Sequence, residues 1–173
     1  MIKTGPLRRI FVSPKKKKYS QPVKRKHPPK FIIGVDEVGR GPLAGPVAVG
    51  ALLATTNMVK RFRMIKESKQ LSPEARERWY AQMLTRGNGL RFAVSFVAAG
   101  IIDKKGIMFA IHLALSRSLK KLNVSPSACK VLLDGGLKAP MKYPNQKTII
   151  HGDTKETAIA MASVVAKVLR DRH

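Results

Sequence analysis

Five short apolar runs punctuate the chain, at residues 31–37, 46–54, 90–97, 130–134 and 147–150. Each is of strand length and bounded by residues that favour turns. The first two are separated only by the glycine-rich stretch 39–45, which predicts an antiparallel hairpin. Between the later runs the apolar spacing lengthens to that of a helix. Ser72-Pro73-Glu74 combines a capping hydroxyl, a first-turn proline and an acid near the positive end of the helix dipole. It predicts a helix to about Thr85, stopped by Gly87-Asn88-Gly89. A second helix is predicted from near Asp103, carrying Ile107, Ala110, Ile111, Ala114, Leu115, Leu119 and Leu122 on one face. A third is predicted from Asp153/Thr154 through Arg170, with Ile159, Ala160, Ala162, Ser163, Val164, Ala166 and Val168 as its apolar and small positions. No internal repeat is visible, and the pattern from Phe31 onward is that of an α/β domain.

Residues 1–30 break this pattern. They hold eleven Lys and Arg, no acid, and prolines at 6, 14, 22, 28 and 29. A segment that repels itself and has little to bury is expected to be a disordered basic arm, leaving 31–173 as one domain. A solvated tail and a phosphate-binding arm are equally good readings of it. The whole chain carries 34 Lys and Arg against 10 Asp and Glu, a formal net charge of +24. That excess points to a polyanionic partner, nucleic acid before membrane. No apolar run approaches the roughly 20 residues of a membrane span. Cys129 is the only cysteine, which excludes an internal disulfide or thiolate zinc site and fits a cytoplasmic setting.

Against so few acids, the position of four of them is informative. Asp36 and Glu37 end the first apolar run, Asp134 ends the fourth, and Asp153 follows the fifth. Desolvating adjacent carboxylates is costly unless a cation compensates them. Strand ends of open α/β sheets converge on one crevice, where four carboxylates can hold two Mg²⁺ or Mn²⁺ ions for phosphodiester cleavage. Each acid has a plainer reading: Asp153 as a helix cap, Asp134 as a turn residue. Alternation also sends Asp36 and Glu37 to opposite faces, so they share a site only if the strand twists, bulges or terminates there. Gly39 and Gly41 let the backbone approach a ligand closely, and Arg40 between them is a ready phosphate ligand. Asp171, between Arg170 and Arg172, reads as a surface salt bridge. His112 and His151 read as structural, and Trp79 and Tyr80 as core or half-buried.

These residues resemble a known family. GVDEVGRGPLAGPV (34–47) resembles the active-site strand of ribonuclease H type II, ribonuclease HII. ESKQLSP (67–73) is similar to its D-S-K-x-L-S/T motif, with Glu67 in place of the usual Asp. LLDGG (132–136) and HGDTKETAIAMASVVAKVLRDR (151–172) are similar to its V-D-G element and its last motif helix. Type III enzymes carry G-T-G where this chain has Gly39-Arg40-Gly41, so type II is favoured. The resemblance implies an RNase H-like fold, a central mixed β-sheet flanked by helices. It implies cleavage of the RNA strand of RNA/DNA hybrids, and of single ribonucleotides embedded in duplex DNA, leaving 3′-hydroxyl and 5′-phosphate ends. It implies that Asp36, Glu37, Asp134 and Asp153 are the catalytic, metal-binding set, with Asp36 bridging two ions. Gly39, Arg40 and Gly41 would read the ribonucleotide through its 2′-OH and adjacent phosphate. Ser68 and Lys69 look like phosphate contacts. Lys167, some 20 Å from Asp153 along one straight helix, is expected to be peripheral.

The chain ends at His173, directly after the last motif. The family normally continues for several tens of residues, including a G-Y-x-T-like segment whose tyrosine packs on the ribonucleotide sugar. The expectation is therefore a C-terminally short, monomeric member of the family. The alternative is a catalytically impaired nucleic-acid-binding protein of the same fold.

Overall fold

The computed structural model describes residues 29–41, 45–85 and 89–173. The expected arm, the tip of the glycine-rich turn and most of the Gly87-Asn88-Gly89 stop lie outside the described residues. The strands are β1 (Phe31–Val38), β2 (Val47–Ala54), β3 (Arg91–Val97), β4 (Cys129–Asp134) and β5 (Gln146–Ile149). They form one sheet in the order β3-β2-β1-β4-β5. β1 and β2 pair antiparallel, as do β2 and β3, while β1–β4 and β4–β5 are parallel. The mixed sheet implied by the resemblance is therefore present, and all five strands fall within a residue or two of their predicted bounds.

The helices are α1 (Thr56–Arg61), α2 (Pro73–Leu84), α3 (Ala99–Lys105), α4 (Ile107–Lys121), α5 (Gly152–Lys155) and α6 (Thr157–Asp171). Single 3-10 turns occupy Ser68–Gln70 and Pro126–Ala128. α2 starts as predicted: the Ser72 hydroxyl accepts from the Ala75 amide at 3.2 Å, and Pro73 is its first residue. Two predicted helices are broken. The second divides at Gly106, whose φ of 82° ends α3 and lets α4 start in a new direction. The third divides at Glu156, whose extended backbone separates the single turn of α5 from α6.

Period-two alternation sorts the sheet's side chains into two cores. Ile33, Val35, Val47, Val49, Ala51 and Leu53 face α4 and meet Ala110, Ile111, Ala114, Leu115 and Leu119. Leu52 and Ala54 face the other way, against Met161, Val164, Val165 and Val168 of α6 and Tyr80 and Met83 of α2. β2 is buried along its whole length, which is why it reads as an unbroken apolar run. Each fully buried Val, Leu or Ile there contributes about 1.5–3 kcal/mol.

α6 packs unusually close to the sheet. A Cβ on Gly34 would lie 1.9 Å from the Ala158 carbonyl oxygen, so no side chain fits between β1 and the helix. The small residues of α6, which weaken its signal as a core helix, are what allow this approach.

Candidate active site

β1 and β4 separate at one end of the sheet. Their pairing stops at Val35–Leu133, whereas β1 stays paired with β2 through Val38–Ala48. Past Val35 the edge of β1 that faced β4 is open. The chain leaves β1 toward β2 and β3 on one side, and β4 leads to β5 on the other. This is the point in an α/β sheet where a ligand crevice forms. Asp36 and Glu37 lie on the open edge, and Asp134 is the residue after Leu133.

The strand therefore does not terminate at Asp36 and Glu37, as one resolution of their shared site required; its pairing with β4 does. Asp36 lies on the α6 face of β1 and Glu37 on the α4 face, but both carboxylates turn into the gap. Ligand oxygens of Asp36, Glu37 and Asp134 all lie within 4.8 Å of one another. The Glu37 amide donates to Asp36 Oδ1 at 2.8 Å. The Gly152 amide donates to Asp134 Oδ1 at 2.6 Å, tying the end of β4 to the start of α5. The Asp134 side chain thus reaches across to another element, while its backbone carbonyl closes the turn that follows by accepting from the Leu137 amide at 3.2 Å.

Asp153 lines the same cleft, a cavity of about 520 Å³, but stands outside the group of three. It is buried and does not cap its helix: the residue at the N-cap of α5 is His151, held at a φ of 54°. Glu67 and Lys69 both lie near enough to act on its carboxyl.

Burial and mutual repulsion shape these acids. Asp36 is pushed up to about 7, chiefly by desolvation; Ser163 opposes this through a hydrogen bond, and the charges of Glu37, Asp134 and Asp153 reinforce it. Glu37 is raised by burial and by Asp134, with Arg40 pulling the other way. Asp153 is raised by burial and by Glu67, against Lys69. Glu37 Oε2 is buried and has no hydrogen-bond partner among the described residues. Three close carboxylates, one with an orphaned oxygen, form a donor set suited to a hard divalent cation.

The glycine-rich turn stands at the mouth. Gly39 has a φ of 97°, and a Cβ there would come within 2.7 Å of the Pro46 oxygen and 2.8 Å of Arg170 Nε. A Cβ on Gly41 would meet nothing within 4 Å among the described residues, which leaves room there for a ligand. Arg40 is exposed and donates to Glu37 Oε1 at 3.3 Å. Lys69 is exposed on its 3-10 turn, whereas Ser68 is buried with its hydroxyl 2.8 Å from that of Ser163.

Lys167 is a correction. It lines the cleft together with Asp153 and Ser163, on a helix that starts anew after the extended Glu156. Asp171 is the expected salt bridge, 2.5 Å from Lys167 Nζ and 3.7 Å from Arg76. Sequence reasoning left Ser163 among the small positions of its helix. Its only signal was a polar residue on a face otherwise apolar.

Comparison with known proteins agrees with this geometry. The family model described as Ribonuclease HII matches residues 33–173. The chain is 37% identical over 144 residues to the ribonuclease HII of Caldicellulosiruptor bescii, covering 83% of this chain and 66% of that protein. It is 40% identical over 142 residues to the ribonuclease HII of Ehrlichia ruminantium, covering 82% and 65%. The crystal structure of ribonuclease H2 from Pyrococcus horikoshii superposes with a TM-score of 0.63 at 26% identity, covering 82% of this chain and 72% of that one. The chain thus spans just under two thirds of the length of the curated relatives it matches.

Proposed function

This chain belongs to the ribonuclease HII family, and from that premise we propose that it is a metal-dependent endoribonuclease. Its substrates are the RNA strand of RNA/DNA hybrids and single ribonucleotides embedded in duplex DNA. The observation that carries the reading is the convergence of Asp36, Glu37 and Asp134 within 4.8 Å at the gap between β1 and β4. Asp36, Glu37 and Asp134 would hold the cation, Mg²⁺ or Mn²⁺, and Asp153 would complete the set from the cleft wall. Bound there, such an ion polarises a phosphoryl oxygen and makes water a nucleophile at neutral pH.

The chain's own residues do the rest. Arg40 stands exposed beside the carboxylates, where its planar fork suits a phosphate. The open space at Gly41 admits a ribose edge, so backbone groups of Gly39 and Gly41 can meet the 2′-OH that separates RNA from DNA. Lys69 supplies a cation for a neighbouring phosphate. Ser68 belongs to the same motif, and its buried hydroxyl accepts from Ser163 at 2.8 Å. Asp36 and Glu37, raised by burial, are primed to exchange a proton for a cation. The excess of basic residues draws a polyanion to the cleft. Among the described residues no helix is long and apolar enough to cross a membrane. A reducing, cytoplasmic setting fits a chain with one cysteine, Cys129, which is buried.

The test is cleavage of a labelled DNA duplex carrying one ribonucleotide, with Mg²⁺ or Mn²⁺ present. The parent should cut beside the ribonucleotide and the Asp36→Asn variant should not. Tight binding without cutting by a folded parent would instead identify a nucleic-acid-binding protein of this fold.

A further inference from the structure

Arg76 does not line the cleft, yet it holds a turn that does. It stands in the first turn of α2, where the helix dipole disfavours a cation, and its side chain is only 12% exposed. Its Nη1 donates to the Ser68 carbonyl at 2.9 Å and to the Leu71 carbonyl at 2.8 Å. The first of these opens the 3-10 turn Ser68–Gln70 and the second follows it. Lys69, between them, is exposed and lines the cleft. Arg76 Nη2 lies 3.7 Å from Asp171 Oδ2 at the end of α6, and the other oxygen of that carboxylate holds Lys167 Nζ. One guanidinium thus ties the turn to two helices.

We propose that Arg76 is a positioning residue for Lys69, fixing the 3-10 turn so that the Lys69 ammonium meets a backbone phosphate of the nucleic acid. This rests on the reading of the cleft as a nucleic-acid site. A lysine is a point charge on a flexible stem, so its aim depends on the backbone that carries it. Of the three residues of the turn only Ser68 is buried, which leaves the exposed part to be held from outside. Arg76 sets both ends of it from a single nitrogen. A guanidinium can do this and still turn a second nitrogen to Asp171, whereas an ammonium has one nitrogen for all three partners. Arg76→Lys therefore keeps the charge and loses the frame.

Fluorescence anisotropy tests this, with the full chain, a labelled DNA duplex carrying one ribonucleotide, EDTA to prevent cutting, and a series of KCl concentrations. Lys69→Gln should weaken binding and lower the salt slope by about one, the signature of one lost phosphate contact. Arg76→Lys should weaken binding and lose most of the same slope, although the net charge is unchanged. The double variant should bind no worse than Lys69→Gln alone, because Arg76 acts through Lys69. In cleavage assays Arg76→Lys should raise KM for the duplex while kcat holds. Parent-like affinity and salt slope in Arg76→Lys would overturn the proposal. So would additive losses in the double variant, or a Lys69→Gln variant that binds like the parent. Should Arg76→Lys fail to fold, Asp171→Asn decides, because that side chain is 41% exposed and the change keeps its shape. Losing a negative charge by itself tightens binding to a polyanion; loosening the frame should weaken it. Tighter or unchanged binding would then overturn the proposal. The anisotropy needs no turnover, so a parent that binds the duplex but does not cut would defeat the nuclease reading and leave this one standing.

Discussion

The two halves of β1 are one strand under opposite constraints. From Phe31 to Val35 it is paired on both edges, with Ile33 and Val35 fully buried in the core that faces α4. From Asp36 to Val38 it is paired on one edge only, and two carboxylates occupy the place where β4 would have continued. The first half gains free energy from burial; the second half gives some back. The fold tolerates charges there because the zipped half, together with the wholly buried β2, holds the open half in place.

The largest effect comes from removing the open half's charge. Asp36→Asn should abolish cutting while making the metal-free protein more stable. Asp36 sits near 7 in the fold against an ordinary value of 3.8, so at pH 8 the native state must hold a buried charge that the unfolded chain exposes to water. Relieving it should gain about 2 kcal/mol or more, a rise of roughly 5 °C in melting temperature in EDTA. Mn²⁺ should then reverse the order, raising the parent's melting temperature more than the variant's. A variant that melts lower than the parent in EDTA would show that the carboxylate stabilises the apo fold after all.

The reciprocal change breaks the zipped half. Ile33→Ala opens a cavity between the sheet and α4 and should cost about 2–5 kcal/mol, read from urea melts. At temperatures where the variant is folded, its cutting rate should stay within a few-fold of the parent's. A loss of activity in step with Asp36→Asn would mean that the two halves are not separable.

A pH series sharpens the same contrast. A carboxyl whose native value is raised contributes stability that is full below the unfolded value and lost as pH rises through the native one. In EDTA the parent should therefore lose stability between about pH 4 and pH 8, with Glu37 and Asp153 pulling in the same direction as Asp36. Asp36→Asn should show a shallower decline. An equal slope in parent and variant would place the titration elsewhere.

What could be read in advance divides along the same line. The strands were legible as short apolar runs of strand length bounded by turn residues. The four acids were legible because they stand at or just after the ends of those runs. The breaks at Gly106 and Glu156 were not. Apolar spacing runs through both, and at Glu156 an ordinary helix-forming residue is held extended, so nothing local announces the bend. The placement of Lys167 in the cleft was missed too, because the distance was reckoned along one continuous helix from Asp153. Ser163 was hidden for a related reason. Its hydrogen-bond partner Ser68 lies 95 residues away along the chain, so no local pattern pairs them.

Arg40 offers the smallest stability effect and the finest test of the open half. Its side chain is 55% exposed while that of its partner Glu37 is 9% exposed. A guanidinium in water gains little from an ion pair, so Arg40→Ala should change global stability by less than about 1 kcal/mol. Glu37 loses a stabilising charge, and its carboxyl should titrate still higher than burial and Asp134 already place it. If Arg40 serves the ribonucleotide's phosphate, the variant should raise KM for a duplex carrying one ribonucleotide, and Arg40→Lys should restore only part of it, because an ammonium keeps the charge without the planar fork. Full rescue by lysine would reduce Arg40 to a point charge at the mouth. An unchanged KM in Arg40→Ala would leave it a partner of Glu37 alone, and would confine the working part of the open half to its carboxylates.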